Sequence, residues 1–434
     1  MALPSGSGTP RKASPLSVLR HRNFALYWCG QAVSLTGTWM QVLAQNWVIV
    51  GFTSSASVLG LLNFAGSFPM MLLTLVGGVV ADHRDKRHIL LVTQAIFMLT
   101  AFALAGLYLT HTLKLWHIFV LAVLNGISAA YDMPANQALT PELVEQQEIP
   151  QAIALNQSIF HGSRVIGPAL AGVVIGALGT ASAFIANGLS FVAVIASLLL
   201  IDYKPRSPVH PARSPLGAMR EGLRYVSERS RLRVLMLLTM LTTMLVFPNH
   251  VILLPLYAKR ILHVGAAQLG WLMGVSGCGA LLGSLMLLGV PREQRVLRIG
   301  LGVTGIAVGM GILSRSHSIG VSCLGSFIAS LSLSLAMGLS ATITQEVVPN
   351  HLRGRVMSLN SLMFVGVLPI AGILITSLAD LIGIREELAG SALLYALGGL
   401  WLLSSYVRSP EIHDYEEPAP EQEAGRGEAE GVKR

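Results

Sequence analysis

Charge is scarce in this chain. Asp, Glu, Lys and Arg make up 12% of its 434 residues, 53% are hydrophobic, and the mean hydropathy is +0.62. Soluble domains carry roughly 25% charged residues. No Asp, Glu, Lys or Arg occurs from Asn23 to Ala81 or from Val165 to Ile201. Each run exceeds the ~20 residues that carry a helix across a bilayer. Unbroken apolar runs do not fit the alternating strands of a membrane barrel, so the fold class is an all-α membrane protein. Cysteine is also rare. Cys29, Cys278 and Cys323 all sit in apolar runs without CxxC spacing, which argues against a disulfide framework or a zinc site. No GxxxxGK[ST] loop appears, which argues against ATP-driven pumping by this chain. HExxH and GxSxG are missing too, and no acid-base cluster stands near a membrane surface, which argues against an enzyme acting on lipids. No cofactor is expected. The first apolar run follows Arg20, His21 and Arg22 and continues far beyond the core of a signal peptide, so no cleaved leader is expected.

What is present is a set of about twelve helical spans, predicted near residues 24–50, 57–81, 88–110, 116–139, 151–177, 181–202, 233–257, 266–290, 296–314, 318–345, 352–378 and 388–407. The basic residues sort by side. Four precede the first span, three follow the second, eight lie in the central segment, three near Arg292, two near Arg353 and four in the C-terminal tail. All of these fall on one side, and the positive-inside bias makes that side, with both termini, cytoplasmic. The formal net charge of +8 therefore calls for no nucleic-acid partner.

The chain divides into a disordered N-terminus (1–15), a six-helix half (16–202), a central cytoplasmic loop (203–232), a second six-helix half (233–407) and a disordered tail (408–434). Within the central loop, Leu216, Met219, Leu223 and Val226 recur at spacings of 3, 4 and 3, which predicts an amphipathic interfacial helix. The halves are related at an offset of 204 residues: Thr140-Pro-Glu-Leu-Val144 matches Thr344-Gln-Glu-Val-Val348, and Leu155-Asn156 matches Leu359-Asn360. Two six-helix pseudo-repeats imply a substrate site at the midplane between them. A monomer is expected.

Two charges interrupt the apolar spans, Asp132 and Arg164. A charge at the centre of a membrane helix costs about 3 kcal/mol even on lenient scales, so it marks a pathway or a pair. At ~1.5 Å rise per residue the two Cα atoms lie roughly 13 and 21 Å from the cytoplasmic helix ends. A long Arg side chain spans that difference if the fourth and fifth helices pack together. Two readings follow: a static buried ion pair, or a pair that opens and lets Asp132 take up a proton. Gln31, Gln41, Gln45 and Asn46 crowd the first span and are cavity candidates, although interhelical hydrogen bonds are the commoner use of such amides. His161 lies three residues before Arg164, as a packing histidine or a proton relay.

The loop Gly77-Gly-Val-Val-Ala-Asp82-His-Arg-Asp-Lys-Arg87 resembles the signature loop of the major facilitator superfamily, which implies the major facilitator fold. In that family the loop latches the two halves in the outward-facing state, with roles here for Gly78, Asp82, Arg84, Lys86 and Arg87. Gly78 is expected to allow close helix packing. His83 and Asp85 depart from the family pattern. The segment with Gly162, Gly167, Pro168 and Gly172 resembles the fifth-helix motif of antiporters, with Ala171 where a glycine is usual; an ordinary packing kink is the alternative. Gly37-Thr-Trp-Met-Gln41, Asp132-Met-Pro-Ala-Asn-Gln137 and Arg164-Val-Ile-Gly-Pro-Ala169 resemble the enterobactin-exporter-like branch, also called the transmembrane secretion effector family. That resemblance implies a secondary transporter of the bacterial inner membrane, exporting a small siderophore-like or drug-like molecule against a proton gradient. An importer, a lipid transporter or a non-transporting sensor of the same fold is the alternative.

Overall fold

The computed structural model describes residues 15–203 and 215–409, and the expected tails lie almost wholly outside the described residues, as do residues 204–214 of the central loop. Every regular element described is helical. In the first half these are α1 (Arg22–Phe52), α2 (Ala56–His83), α3 (Lys86–Leu109), α4 (Leu115–Leu139), α5 (Ile149–Leu178) and α6 (Thr180–Leu200). A short α7 (Pro215–Ser227) joins the halves. The second half contains α8 (Ser230–Leu245), α9 (Leu254–Arg260), α10 (Ala266–Leu285), α11 (Arg295–Arg315), α12 (Ile319–Val347), α13 (Asn350–Val365), α14 (Val367–Ile382) and α15 (Ile384–Arg408).

Two spans are interrupted, which the sequence reading did not foresee. α8 and α9 belong to one span, Ser230–Arg260, broken by a wide π-helical turn at Asn249–Leu253. Pro248 and Pro255 bracket that turn and cannot donate to the carbonyls one turn back, so the ladder there has to rearrange. α13 and α14 likewise belong to one span, which breaks at Gly366, three residues before Pro369. Among the described residues, eleven spans are long and apolar enough to cross a membrane. α1 is the twelfth, its hydropathy diluted by the amides it carries.

The sequence repeat recurs in the backbone. α4 and α12 begin at Leu115 and Ile319, α5 and α14 end at Leu178 and Ile382, and α6 and α15 begin at Thr180 and Ile384, each pair 204 residues apart. Between the latter helices stand single glycines, Gly179 with φ 83° and Gly383 with φ 100°. An L side chain is strained there, so glycine is required at both joints.

On the face holding Pro15 and Ser409, called here the terminal face, the ion pairs and hydrogen bonds among the described residues stay within one half. His21 meets Glu148, Asn23 Nδ2 donates to the Asp202 carbonyl at 2.8 Å, and Arg295 and Arg292 hold Glu346 at 2.6 and 3.3 Å. α7 docks on α13 through Gly222 and the Glu221–Arg355 ion pair. Its Val226 is buried and its Leu223 is 52% exposed; the side chains of Leu216 and Met219 fall outside those described.

The halves meet instead towards the opposite face, along two seams. In the first, α5 crosses α10: a Cβ on Gly172 would stand 2.8 Å from the Gly270 Cα, and one on Gly277 would stand 2.8 Å from the Val165 Cα. In the second, α2 packs on α14, with Gly60 against Thr376 and the Gly372 carbonyl. Asp380 finishes that seam by accepting from the backbone N–H groups of Ala56 (2.7 Å) and Ser57 (2.9 Å) and from the hydroxyls of Ser55 (2.5 Å) and Ser57 (2.7 Å). A carboxylate on the first N–H groups of a helix satisfies donors that have no intrahelical partner.

Candidate functional site

Two cavities lined by described residues reach into the helix bundle. One, of about 430 Å³, lies within the first half and is lined by amides. Gln31, Gln41, Gln45 and Asn46 on α1 all face it, together with Asn187 on α6 and Asp132 on α4. Some of this polarity is already used: Asn187 Nδ2 donates to Gln41 Oε1 at 2.7 Å, and Gln31 Nε2 to the Tyr27 hydroxyl at 2.8 Å. Asp132 Oδ1 accepts from Thr93 Oγ1 at 2.7 Å and from Gln94 Nε2 at 2.9 Å.

The other cavity, of about 410 Å³, lies between the halves. α1 and α5 contribute Trp39 and Arg164, the wide turn contributes His250, and α10 and α12 contribute serines and methionines. The lining runs as far as Leu287 and Ala341, towards the terminal face. The Arg164 guanidinium lies over the Trp39 ring at 5.2 Å from its centroid, and Trp39 in turn meets Phe160 edge-on.

Asp132 and Arg164 therefore do not pair in this state. No Lys, Arg or His nitrogen among the described residues comes within 4.0 Å of Asp132. The reason is in the packing. α4 rests on α2 and α3, while α5 rests on α1 and α10, so the adjacency that would let the arginine reach is not formed. The side chain of His161 is outside those described.

Sequence reasoning passed over two buried residues, His250 in the wall of the cavity between the halves and Glu387. The His250 Nδ1 faces the Val246 carbonyl at 3.3 Å, and its Nε2 has no partner among the described residues. The preceding residue, Asn249, donates through Nδ2 to Glu387 Oε1 at 3.2 Å, and Ser391 Oγ donates to the same oxygen at 2.5 Å. Glu387 is 1% exposed. The proline pair around Asn249 and His250 was the available signal; Glu387 fell one residue outside the predicted twelfth span.

Residues 13–425 match the family described as transmembrane secretion effector. The chain belongs to that family, a branch of the major facilitator superfamily. It is 26% identical over 354 residues to the staphyloferrin A transporter of Staphylococcus aureus, covering 80% of this chain and 87% of that one. It is 24% identical over 376 residues to the multidrug efflux pump Tap of Mycolicibacterium fortuitum, covering 84% and 91%. Among solved structures, a bacterial homolog of the human lysosomal transporter Spinster, inward-facing and occupied, superposes with a TM-score of 0.69 at 12% identity, covering 91% of this chain and 97% of the other. The last likeness speaks for the fold alone. The protein is a multi-pass membrane transporter with the major facilitator fold.

The family's two motifs can be placed in that fold. In the signature loop, Gly77 rather than Gly78 makes the close approach: a Cβ on Gly77 would meet the Ala130 carbonyl oxygen at 2.0 Å, whereas one on Gly78 would meet nothing within 4 Å. A one-residue step turns a helix position by about 100°, and Gly78 faces away from α4. Lys86 is buried and pairs with Glu142 at 3.1 Å, Arg87 donates to the Leu199 carbonyl at 2.9 Å, and Asp85 caps α3 through the Arg87 N–H. Asp82 and Arg84 are exposed and make no ion pair among the described residues. In the fifth-helix motif, Gly167 lies under Trp39 and Gly172 on Gly270, while Gly162 borders open space.

Proposed function

We propose that the chain is a proton-coupled exporter, moving a small amphipathic molecule of siderophore or drug type across the bacterial inner membrane by alternating access. The observation that carries this reading is Asp132. It is a carboxyl group on a membrane helix, facing a cavity, held by two neutral donors and no cation. A fixed counter-charge would hold it permanently ionised; without one it is free to exchange a proton with an aqueous cavity.

The basic loops favour the cytoplasm for the terminal face. Both seams between the halves lie towards the other face, so this arrangement is inward-facing and its central cavity is where an exporter takes up cargo. Relatives named for a siderophore and for multidrug efflux support that direction. Opening the two seams while the halves close at the cytoplasmic side would present the cavity outward.

Uptake into inverted vesicles, with and without a pH gradient and screened over siderophores and common antibiotics, is the test. Gradient-dependent accumulation of at least one compound is expected, together with its abolition in Asp132→Asn while that variant stays folded. Wild-type transport by Asp132→Asn would sink the coupling role, and no gradient dependence for any compound would overturn antiport.

A further inference from the structure

The cavity between the halves holds one Arg, and no acidic side chain among the described residues lines it. Arg164 makes no ion pair or hydrogen bond among the described residues, and its recorded contact is the face of Trp39. A guanidinium stays charged under all ordinary conditions and offers five N–H donors in a planar fork, so leaving it unbonded within a membrane helix is costly. Such a group is kept for something that arrives.

The rest of the wall narrows what that is. A single cation matches a monoanion, and the planar fork matches a carboxylate with two parallel hydrogen bonds. The indole of Trp39 offers a flat apolar face beside the charge, and Met273, Leu333 and Met337 continue an apolar lining. His250 also lines it. Its Nδ1 points at the Val246 carbonyl and so carries the proton, while Nε2 is buried, so the ring lines the wall without adding a second charge. On α10 and α12, Ser276 bonds Ser330 at 2.6 Å and Ser284 bonds Ser334 at 2.7 Å, so those hydroxyls are largely satisfied by one another. A volume of about 410 Å³ is that of a drug-sized site.

We infer that this cavity binds an organic monoanion: a carboxylate on Arg164 and an aromatic body against Trp39. The inference rests on the transport reading above and names the cargo class of that transporter. It also separates the two intramembrane charges by task, Arg164 for the cargo and Asp132 for the proton.

The probe is dansylglycine, which carries a carboxylate and an aromatic body, compared with its neutral methyl ester. Both are titrated by fluorescence onto the purified full-length chain in detergent, without any gradient, so the outcome is independent of whether antiport holds. The acid is expected to bind roughly tenfold or more tightly than the ester. Arg164→Gln should weaken acid binding by about 10- to 100-fold, the loss expected for a charge-assisted pair, and leave ester binding in place as evidence of folding. Arg164→Lys should fall between. Equal binding of acid and ester to the wild type, failure of the acid to bind, or an Arg164→Gln protein that still prefers the acid would each overturn the inference. Phosphatidylglycerol added to the micelles tests the other source of an anion. No displacement is expected, and displacement of the probe would reassign the site to a lipid headgroup and overturn the inference as stated.

Discussion

Gly172 and Gly270 meet backbone to backbone where α5 crosses α10, so close that a Cβ on Gly270 would stand 2.5 Å from the Gly172 Cα. No side chain of either residue fits between the helices. Overpacking a tight contact costs typically ~1–3 kcal/mol, and here the cost falls only on the state in which this seam is shut. Gly172→Ala or Gly270→Ala should therefore shift the resting population towards opening of the opposite face by roughly 5- to 150-fold, since ~1.4 kcal/mol is a factor of ten. Spin labels at Thr112 and Arg260, one on each half at that face, would read the shift as a longer distance. An unchanged distance distribution would show that the seam does not gate.

Asp380 offers the same test from the other seam. It caps α2 from across the halves with four short hydrogen bonds. Loss of a helix cap costs about 0.5–2 kcal/mol. Asp380→Ala should open the same face, and in combination with Gly270→Ala the two free-energy effects should add within ~0.5 kcal/mol, because the seams share no residue. The same label pair measures it.

Lys86 is held in a buried ion pair in this state. Its side chain is only 10% exposed, and it pairs with a Glu142 that is 13% exposed and also accepts from the Tyr203 hydroxyl at 2.5 Å. Removing one member of a buried pair costs about 3–5 kcal/mol. Lys86→Met should lower the thermal midpoint in detergent sharply, and Lys86→Met with Glu142→Leu should regain much of it. Exposed Asp82→Asn and Arg84→Gln should change stability by less than ~0.5 kcal/mol and act on transport alone.

Asp132 and Arg164 sit in different cavities, so their contributions to the stability of this state should be independent. Asp132→Asn and Arg164→Gln are expected to combine additively in denaturation, within ~0.5 kcal/mol. A coupling energy above ~1 kcal/mol, or rescue of function by exchanging the two residues, would reveal a pair formed in another state.

Much of the architecture was legible before any coordinates. Charge-free runs located the spans, and the match of Thr140–Val144 to Thr344–Val348 fixed the repeat at the offset the helix ends then obeyed. What failed was azimuth and neighbourhood. Depth alone placed Asp132 and Arg164 within reach of each other, but which helix faces which is decided by long-range packing, and α4 and α5 turned to different partners. The choice of Gly78 over Gly77 failed for the same reason: two adjacent glycines are identical in composition and differ only in where they point. The cavity amides on α1 were found because polar residues in an apolar helix stand out. His250 was missed because one histidine beside a proline carries no such contrast until the wide turn sets it against Arg164.

The matched glycines at 179 and 383 have a mechanical consequence. Each is the whole connection between two long antiparallel helices, with no slack on either side. A joint of one residue keeps the facing ends of each helix pair together, so α5 and α6, and likewise α14 and α15, cannot part at that surface. Gly172 stands on one pair and Asp380 on the other, both towards these joints. Unfastening either seam therefore carries the neighbouring helix end with it, and neither half opens at this face by one helix alone.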